Sequence, residues 1–139
     1  MKVFLFRAWQ WIWGLPQCVI GLILYIIHRK QPHFEYHGCL VTRWNVRGSL
    51  GVGMFLFVNA PHYDAEPGIL VHEFGHAVQS AILGPLFLPV MGIPSFLWCN
   101  LTACRKLRKE KGVSYYRFYP ESTANFLGKL VTKEECALR

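Results

Sequence analysis

The sequence predicts an α+β membrane protein folded as one domain over residues 1–139. Three observations lead there. The chain is 53% hydrophobic and 15% aromatic with only 17% charged residues, against about 25% charged in ordinary globular chains. The stretch from Trp9 to Ile27 carries no formal charge. The pattern then changes from β-branched and aromatic residues over 34–59 to helical periodicity from residue 68 onward. The expected order is an N-terminal transmembrane helix with its flank (1–30), a short antiparallel β-hairpin or meander (34–59), a helix over 68–83, a kinked or re-entrant apolar segment (85–104) and a C-terminal helix (119–131).

Each element has its reason. The uncharged run matches the ~20 residues that cross a hydrocarbon core. Trp9, Trp11 and Trp13 sit at one end as interfacial aromatics do, and Arg29 and Lys30 close the other. Gly14 and Pro16 are expected to kink this helix. No small-residue cleavage site follows Ile27, so the helix reads as retained rather than as a cleaved leader. Between Phe34 and Asn59 the composition suits two or three strands with a turn near Asn45–Ser49. The stretch Leu50–Val58 is nearly all apolar or Gly, as a strand buried on both faces would be. "APHYDAEPG" reads as a loop, and Gly84-Pro85 ends the helix that follows it. "LFLPVMGIPSFLWCNLTAC" is apolar but broken by Pro89, Gly92 and Pro94, which suits irregular backbone packed against protein within a membrane. "RKLRKEKG" reads as a basic turn, Pro120 fits the first turn of the last helix, and "VTKEECALR" reads as a frayed tail.

Charge and cysteine content narrow the partners. The net charge is +7, but no nucleic-acid signature accompanies it, and the basic residues do not line one helix with interleaved aromatics. Positive loops beside anionic lipid fit better, so a lipid bilayer is the expected partner and nucleic acid is not. The five cysteines form no C-x-x-C pair, which argues against a disulfide framework or a cysteine metal site. Cys18, Cys99 and Cys104 read as small buried hydrophobes. Lys2 and Arg7 precede the first helix and the other basic residues follow it. By the positive-inside rule the body of the chain faces the cytoplasm.

The chemistry concentrates in "GILVHEFGHAVQSAILGPL", Gly68 to Leu86. On a helix His72, Glu73, His76, Gln79 and Ser80 fall within a sector of roughly 120°, with apolar residues on the other side. Histidines at i and i+4 can point at one ion. This is H-E-x-x-H: two zinc ligands, and a carboxylate placed to take the proton of a water that the ion activates. Two imidazoles and a carboxylate in an apolar helix are expensive to bury without such a partner. A catalytic zinc takes a third protein ligand. No histidine follows His76, so a third one would come from upstream. Glu110 lies in a solvated charge run, and Glu134 and Glu135 in the tail. Glu121 stands at the start of a half-apolar helix in "YPESTANFLG", with Asn125 and Gly128 on its face. Glu121 is thus the expected third ligand. Gln79 and Asn125 are candidates for orienting the ligands, and Tyr115, Tyr116 and Tyr119 for stabilising an oxyanion. His28, His33, His37 and His62 fall in loops or strand ends and read as surface residues.

A helical H-E-x-x-H followed by a glutamate on a second helix resembles the gluzincin type of zinc metallopeptidase. The chain is also similar to small bacterial integral-membrane zincin-like proteins in "LPQ" (Leu15–Gln17), "GSLGVGMFLFVN" (Gly48–Asn59), "HEFGHAVQSAILGPLFLPVMGIPS" (His72–Ser95) and "FYPESTANFLG" (Phe118–Gly128). The resemblance implies zinc at His72, His76 and Glu121, Glu73 as base, and a place in the bacterial inner or plasma membrane. The expected activity is hydrolysis of a peptide bond in a membrane-associated or membrane-proximal peptide. The other expectation is a non-catalytic zinc-binding membrane scaffold or adaptor. The chain is smaller than familiar gluzincin proteases and has no evident domain to form a substrate cleft.

Overall fold

In the computed structural model, which describes residues 2–46 and 48–134, the first apolar run is two helices and not one. Helix α1 spans Lys2–Trp13 and α2 spans Leu15–Ile27. They meet at Gly14 with a bend of 108°. Pro16 lacks the N–H that would carry the ladder through. Gly14 supplies the close approach, because a Cβ there would meet the Gln10 carbonyl and the Ser80 hydroxyl. The kink foreseen at Gly14 and Pro16 is therefore sharp enough to abolish the spanning helix. Among the described residues no single helix is long and apolar enough to cross a membrane. The expected transmembrane helix, and with it the fold class of a membrane-spanning α+β protein, is corrected to a mostly helical chain with a small mixed sheet.

The tryptophans and glutamines of this pair explain the bend. Trp9 and Trp13 donate their indole N–H to the carbonyls of Ala81 (2.7 Å) and Ile82 (3.2 Å). They cap the end of another helix, whose last carbonyls have no partner of their own. Gln10 and Gln17 are fully buried. Gln10 Nε2 donates to the Ala77 carbonyl (2.8 Å), Gln17 Nε2 to the Ser80 hydroxyl (2.7 Å) and the Gly84 carbonyl (2.8 Å), and Ser80 in turn to Gln10 Oε1 (2.8 Å). An amide buried without partners costs about 1–3 kcal/mol by mutation. The helices therefore fold their polar residues onto partners in the protein rather than running straight.

The sheet follows. Strands β1 (His33–Tyr36) and β2 (Cys39–Trp44) pair antiparallel around His37 and Gly38, both at positive φ as a two-residue hairpin requires. The stretch Leu50–Val58, read as one strand, divides at Gly53 (φ 63°) into β3 (Leu50–Val52) and β4 (Phe55–Asn59), also antiparallel. The order is β1-β2-β4-β3, with β2 and β4 parallel. The expected antiparallel meander is thus corrected to a mixed sheet. The physical reason lies in β4, where Phe55, Leu56, Phe57 and Val58 are all buried. A strand apolar on both faces needs neighbours on both edges and cover on both sides. Leu56 and Val58 pack with Ile69, Leu70, Phe74 and Ala77 on one face. Phe55 and Phe57 pack with Cys18, Trp44, Val52 and Met54 on the other, against Leu24 and Tyr25 of α2.

The expected loop after Asn59 holds a short helix, α3 (Ala60–Ala65), capped by the Asn59 side chain, which accepts from His62 N–H (3.1 Å). Helix α4 (Ile69–Leu83) lies across the sheet. The broken apolar segment is a 3-10 turn (Gly84–Leu86), a π-helical turn (Leu88–Gly92) and α5 (Ile93–Asn100). The basic stretch is a helix, α6 (Thr102–Lys111), and not a turn. Helix α7 (Tyr119–Thr132) packs along α4. Cys18 is buried as read, but Cys99 and Cys104 are only partly so. Arg47 of the expected turn, and Glu135 and Cys136 of the tail, lie outside the described residues.

Candidate metal centre

Helices α4 and α7 touch through glycine. A Cβ on Gly75 would collide with the carbonyl of Ala124, and one on Gly128 with the carbonyl of Val71. With no side chain at either crossing point, the two backbones approach closely enough for residues on each to share one ion. His72 and His76 reach from α4 and Glu121 from the first turn of α7, and all three are buried.

Their ligand atoms lie within 4.8 Å of one another. His72 Nε2 is 2.8 Å and His76 Nε2 3.3 Å from the same oxygen, Glu121 Oε2. Ligands held ~2.0–2.2 Å from an ion at tetrahedral angles stand about 3.3–3.5 Å apart. The three donors are therefore close enough to hold one metal ion after small shifts, outward at the Glu121 contacts and inward where their spread reaches 4.8 Å. The outer nitrogens are fixed. His72 Nδ1 donates to Asn125 Oδ1 (2.5 Å) and His76 Nδ1 to Gln79 Oε1 (2.8 Å). Gln79 Nε2 donates to the Pro120 carbonyl (2.8 Å), which sets the amide's orientation and joins α4 to the first turn of α7. With both Nδ1 atoms donating outward, both Nε2 atoms face the shared centre, where they donate to Glu121 in the metal-free state and, deprotonated, would offer their lone pairs to an ion.

The electrostatics fit the geometry. Burial would raise the Glu121 carboxyl, but hydrogen bonds from His72 and His76, and then their charge, hold it far below the usual carboxylate range. Burial would lower His76, but the hydrogen bond and charge of Glu121 outweigh it and carry the imidazole up to about 9. Glu73 goes the other way. Burial raises its carboxyl, and the nearby histidines only partly offset this.

Glu73 and His76 line one wall of a cavity of about 350 Å³. Gly51 of β3 lies directly over Glu73 and would press a Cβ onto its carbonyl, with the Glu73 carboxylate close by. Ser49, Ser95, Asn100 and Tyr115 are the other polar residues of the lining, and Leu50, Phe87, Ile93 and Phe96 supply apolar walls. Of the three tyrosines considered from sequence, only Tyr115 lines this cavity. Tyr116 packs its ring on His72 (5.0 Å between centroids), and the Tyr119 hydroxyl donates to the Val90 carbonyl (2.6 Å). Burial, then the Glu121 charge, keeps the Tyr115 phenol protonated.

The structure thus brings together His72, His76, Glu121, Gln79 and Asn125, with Glu73 beside them. It leaves Glu110 on the exposed face of α6, and Glu134 accepts from Tyr36 and His37 at the far end of α7. His33 bonds Thr42 and His28 packs on Trp44. Sequence reasoning missed Ser95, which donates to Glu121 Oε1, the oxygen not shared by the histidines. A serine between two broken apolar turns carries no local signal of that role. It also missed Gly75, although a glycine inside H-E-x-x-H is itself a hint of close helix contact. No known protein family matches the chain, and no curated protein and no solved structure matches it at a significant level.

Proposed function

We propose that this chain is a zinc-dependent metallopeptidase of gluzincin type. The observation that carries the reading is one carboxylate, Glu73, held on the cavity wall beside a buried two-histidine, one-glutamate set. A structural zinc usually closes its coordination shell with a fourth protein ligand and needs no base. His₂Glu with a neighbouring acid leaves one position open toward the cavity. Two imidazoles and one carboxylate are a donor set that suits zinc among the divalent ions.

When bound, zinc would lower the pKa of water at the open position toward neutrality and polarise a carbonyl there. Glu73, its carboxyl raised by burial, takes up a proton at its carboxylate and passes it to the leaving amine. Tyr115, held protonated, donates to the oxygen on which negative charge develops. Asn125 and Gln79 keep both imidazoles turned inward, and Ser95 donates to Oε1 of Glu121, which would leave Oε2 to hold the ion. Phe87 and Leu50 shield the site from bulk water.

Metal analysis of the purified chain tests the centre: one zinc per chain is expected, with loss in His72→Ala and Glu121→Ala. Comparison of the peptides in cells carrying the wild type or Glu73→Gln tests the chemistry. The variant should keep its zinc and accumulate uncut substrate. Full cellular effect from Glu73→Gln would favour a non-catalytic scaffold instead.

A further inference from the structure

Helix α2 is apolar on its outward face as well as on most of its inward one. Its outward residues, Leu15, Val19, Ile20, Leu22, Ile23, Ile26 and Ile27, are all apolar, while Gln17 is fully buried. A helix on a water-facing surface has the opposite arrangement. The exposed apolar surface continues across the bend to Ile12 and Trp13. Trp13 bonds the end of α4, and the chain leads on from there to exposed Leu86, Val90, Ile93 and Phe96. Exposed apolar patches of such extent mark an interaction site.

That surface surrounds the mouth of the cavity. Ile20 of α2 and Ile93 and Phe96 of α5 line the cavity, yet they are 39%, 54% and 63% exposed. The cavity therefore opens between α2 and α5, through an apolar rim. We infer that this face docks on an anionic lipid surface, and that the cavity receives an apolar peptide segment from the lipid side. The substrate half of this inference rests on the peptidase reading; the docking half does not.

Two features favour lipid over a protein partner. Protein interfaces carry about one hydrogen bond per 100–200 Å², and the outward residues of α2 offer no side-chain donor or acceptor. Cations also border the apolar surface. Arg29 and Lys30, both exposed, follow Ile26 and Ile27 after His28. Past Leu101 at the end of α5 come Arg105, Lys106, Lys109 and Lys111 of α6, also exposed. Apolar residues seated among acyl chains with cations at headgroup level is how an interfacial helix binds. The bend of α1 on α2 lays this face along a bilayer without crossing it.

The test uses the full chain loaded with zinc and vesicles of phosphatidylcholine with or without phosphatidylglycerol. The wild type should float with the anionic vesicles, less so at high salt. The double variant Ile23→Asp, Ile26→Asp changes only exposed positions. It should lose vesicle binding by more than about tenfold and keep its zinc. Wild type that stays unbound with both vesicles would overturn docking, as would a variant that floats equally well. So would a lipid-free dimer broken by the same two aspartates, which would assign the face to a second copy. With Cys104 and Cys136 replaced by serine, Cys99, on the cavity wall, reports where the mouth faces. Bound to vesicles, it should resist a charged, membrane-impermeant maleimide and still react with an apolar one. Equal labelling by the charged reagent with and without vesicles would place the mouth in water and overturn the access route. Flotation without zinc would sink the peptidase reading and leave docking intact, whereas zinc without flotation would do the reverse.

Discussion

His76 is asked to hold a proton by Glu121 and to give it up to a metal. The sign of each pH effect follows. Its folded value of about 9 lies above the ordinary 6.5. The stability it brings to the metal-free protein is therefore complete below 6.5 and is lost as pH rises through about 9. Glu121 is depressed below its ordinary 4.5, so its share is complete above 4.5 and is lost in acid. The metal-free centre should stabilise the fold best between pH 4.5 and 6.5, read as a maximum in the melting temperature of chelator-treated protein. Metal binding runs the other way, since a ligand nitrogen must be deprotonated. Zinc affinity should climb from pH 6 to pH 9, with about one proton released per ion near neutrality, measurable by titration calorimetry in buffers of different ionisation enthalpy. A flat affinity across that range would mean that His76 is not a ligand. Asn125→Ala should lower zinc affinity by about 10–100-fold, because it frees the His72 ring to turn. These roles were only partly legible in the sequence. The i, i+4 spacing gave His72, Glu73 and His76 directly. Glu121 emerged from the poor placement of its rivals. Tyr115 stood in the sequence as one of three candidate tyrosines, and Ser95 became visible only once separate segments met.

At the scale of elements, the contact between α4 and α7 governs the centre. Gly75→Ala would press a methyl group onto the Ala124 carbonyl, and Gly128→Ala onto that of Val71. Overpacking of this kind costs about 1–3 kcal/mol and occasionally more. Because each clash is with backbone, the upper end is expected, measured as a shift in denaturant midpoint. Zinc affinity should fall with it, since α7 carries Glu121. An alanine at Gly112, where nothing stands within 4 Å of a Cβ but φ is +64°, should cost some stability through backbone strain and leave zinc affinity unchanged. The polar network of Gln10, Gln17 and Ser80 plays the matching part on the other flank of α4. Ser80→Ala removes one donor and one acceptor at once. It should destabilise by about 1–3 kcal/mol, because two buried amides lose a partner. A cost below ~0.5 kcal/mol would mean that water replaces the hydroxyl. The uncharged run gave no warning of this network. Glutamine carries no formal charge, so a search for charge-free runs passes over it, whereas burial makes each of its hydrogen bonds decisive.

At the scale of the molecule, metal and fold are linked. The ion would join α4 to α7, the most extensively packed pair of helices in the chain, and a ligand that binds only the folded state adds stability by mass action, about 4 kcal/mol at a thousandfold excess over Kd. Chelation should lower the melting temperature, and restored zinc should recover it. Equal melting with and without zinc would show that the cluster is a structural ion pair alone. The sequence by itself determined what depends on local period and residue chemistry: a helix with histidines and a carboxylate on one stripe, a later helix opened by proline and glutamate, and strands between Phe34 and Asn59. Those features need only near neighbours along the chain. Only the tertiary structure decided that the first apolar run turns through 108° at Gly14 and forms two helices in place of one, and that β4 runs parallel to β2 at the centre of the sheet. It alone brought Ser95 and Tyr115 to the cavity. Each of these depends on where a buried polar group or a two-faced apolar strand finds its partners, and those partners lie far away in sequence.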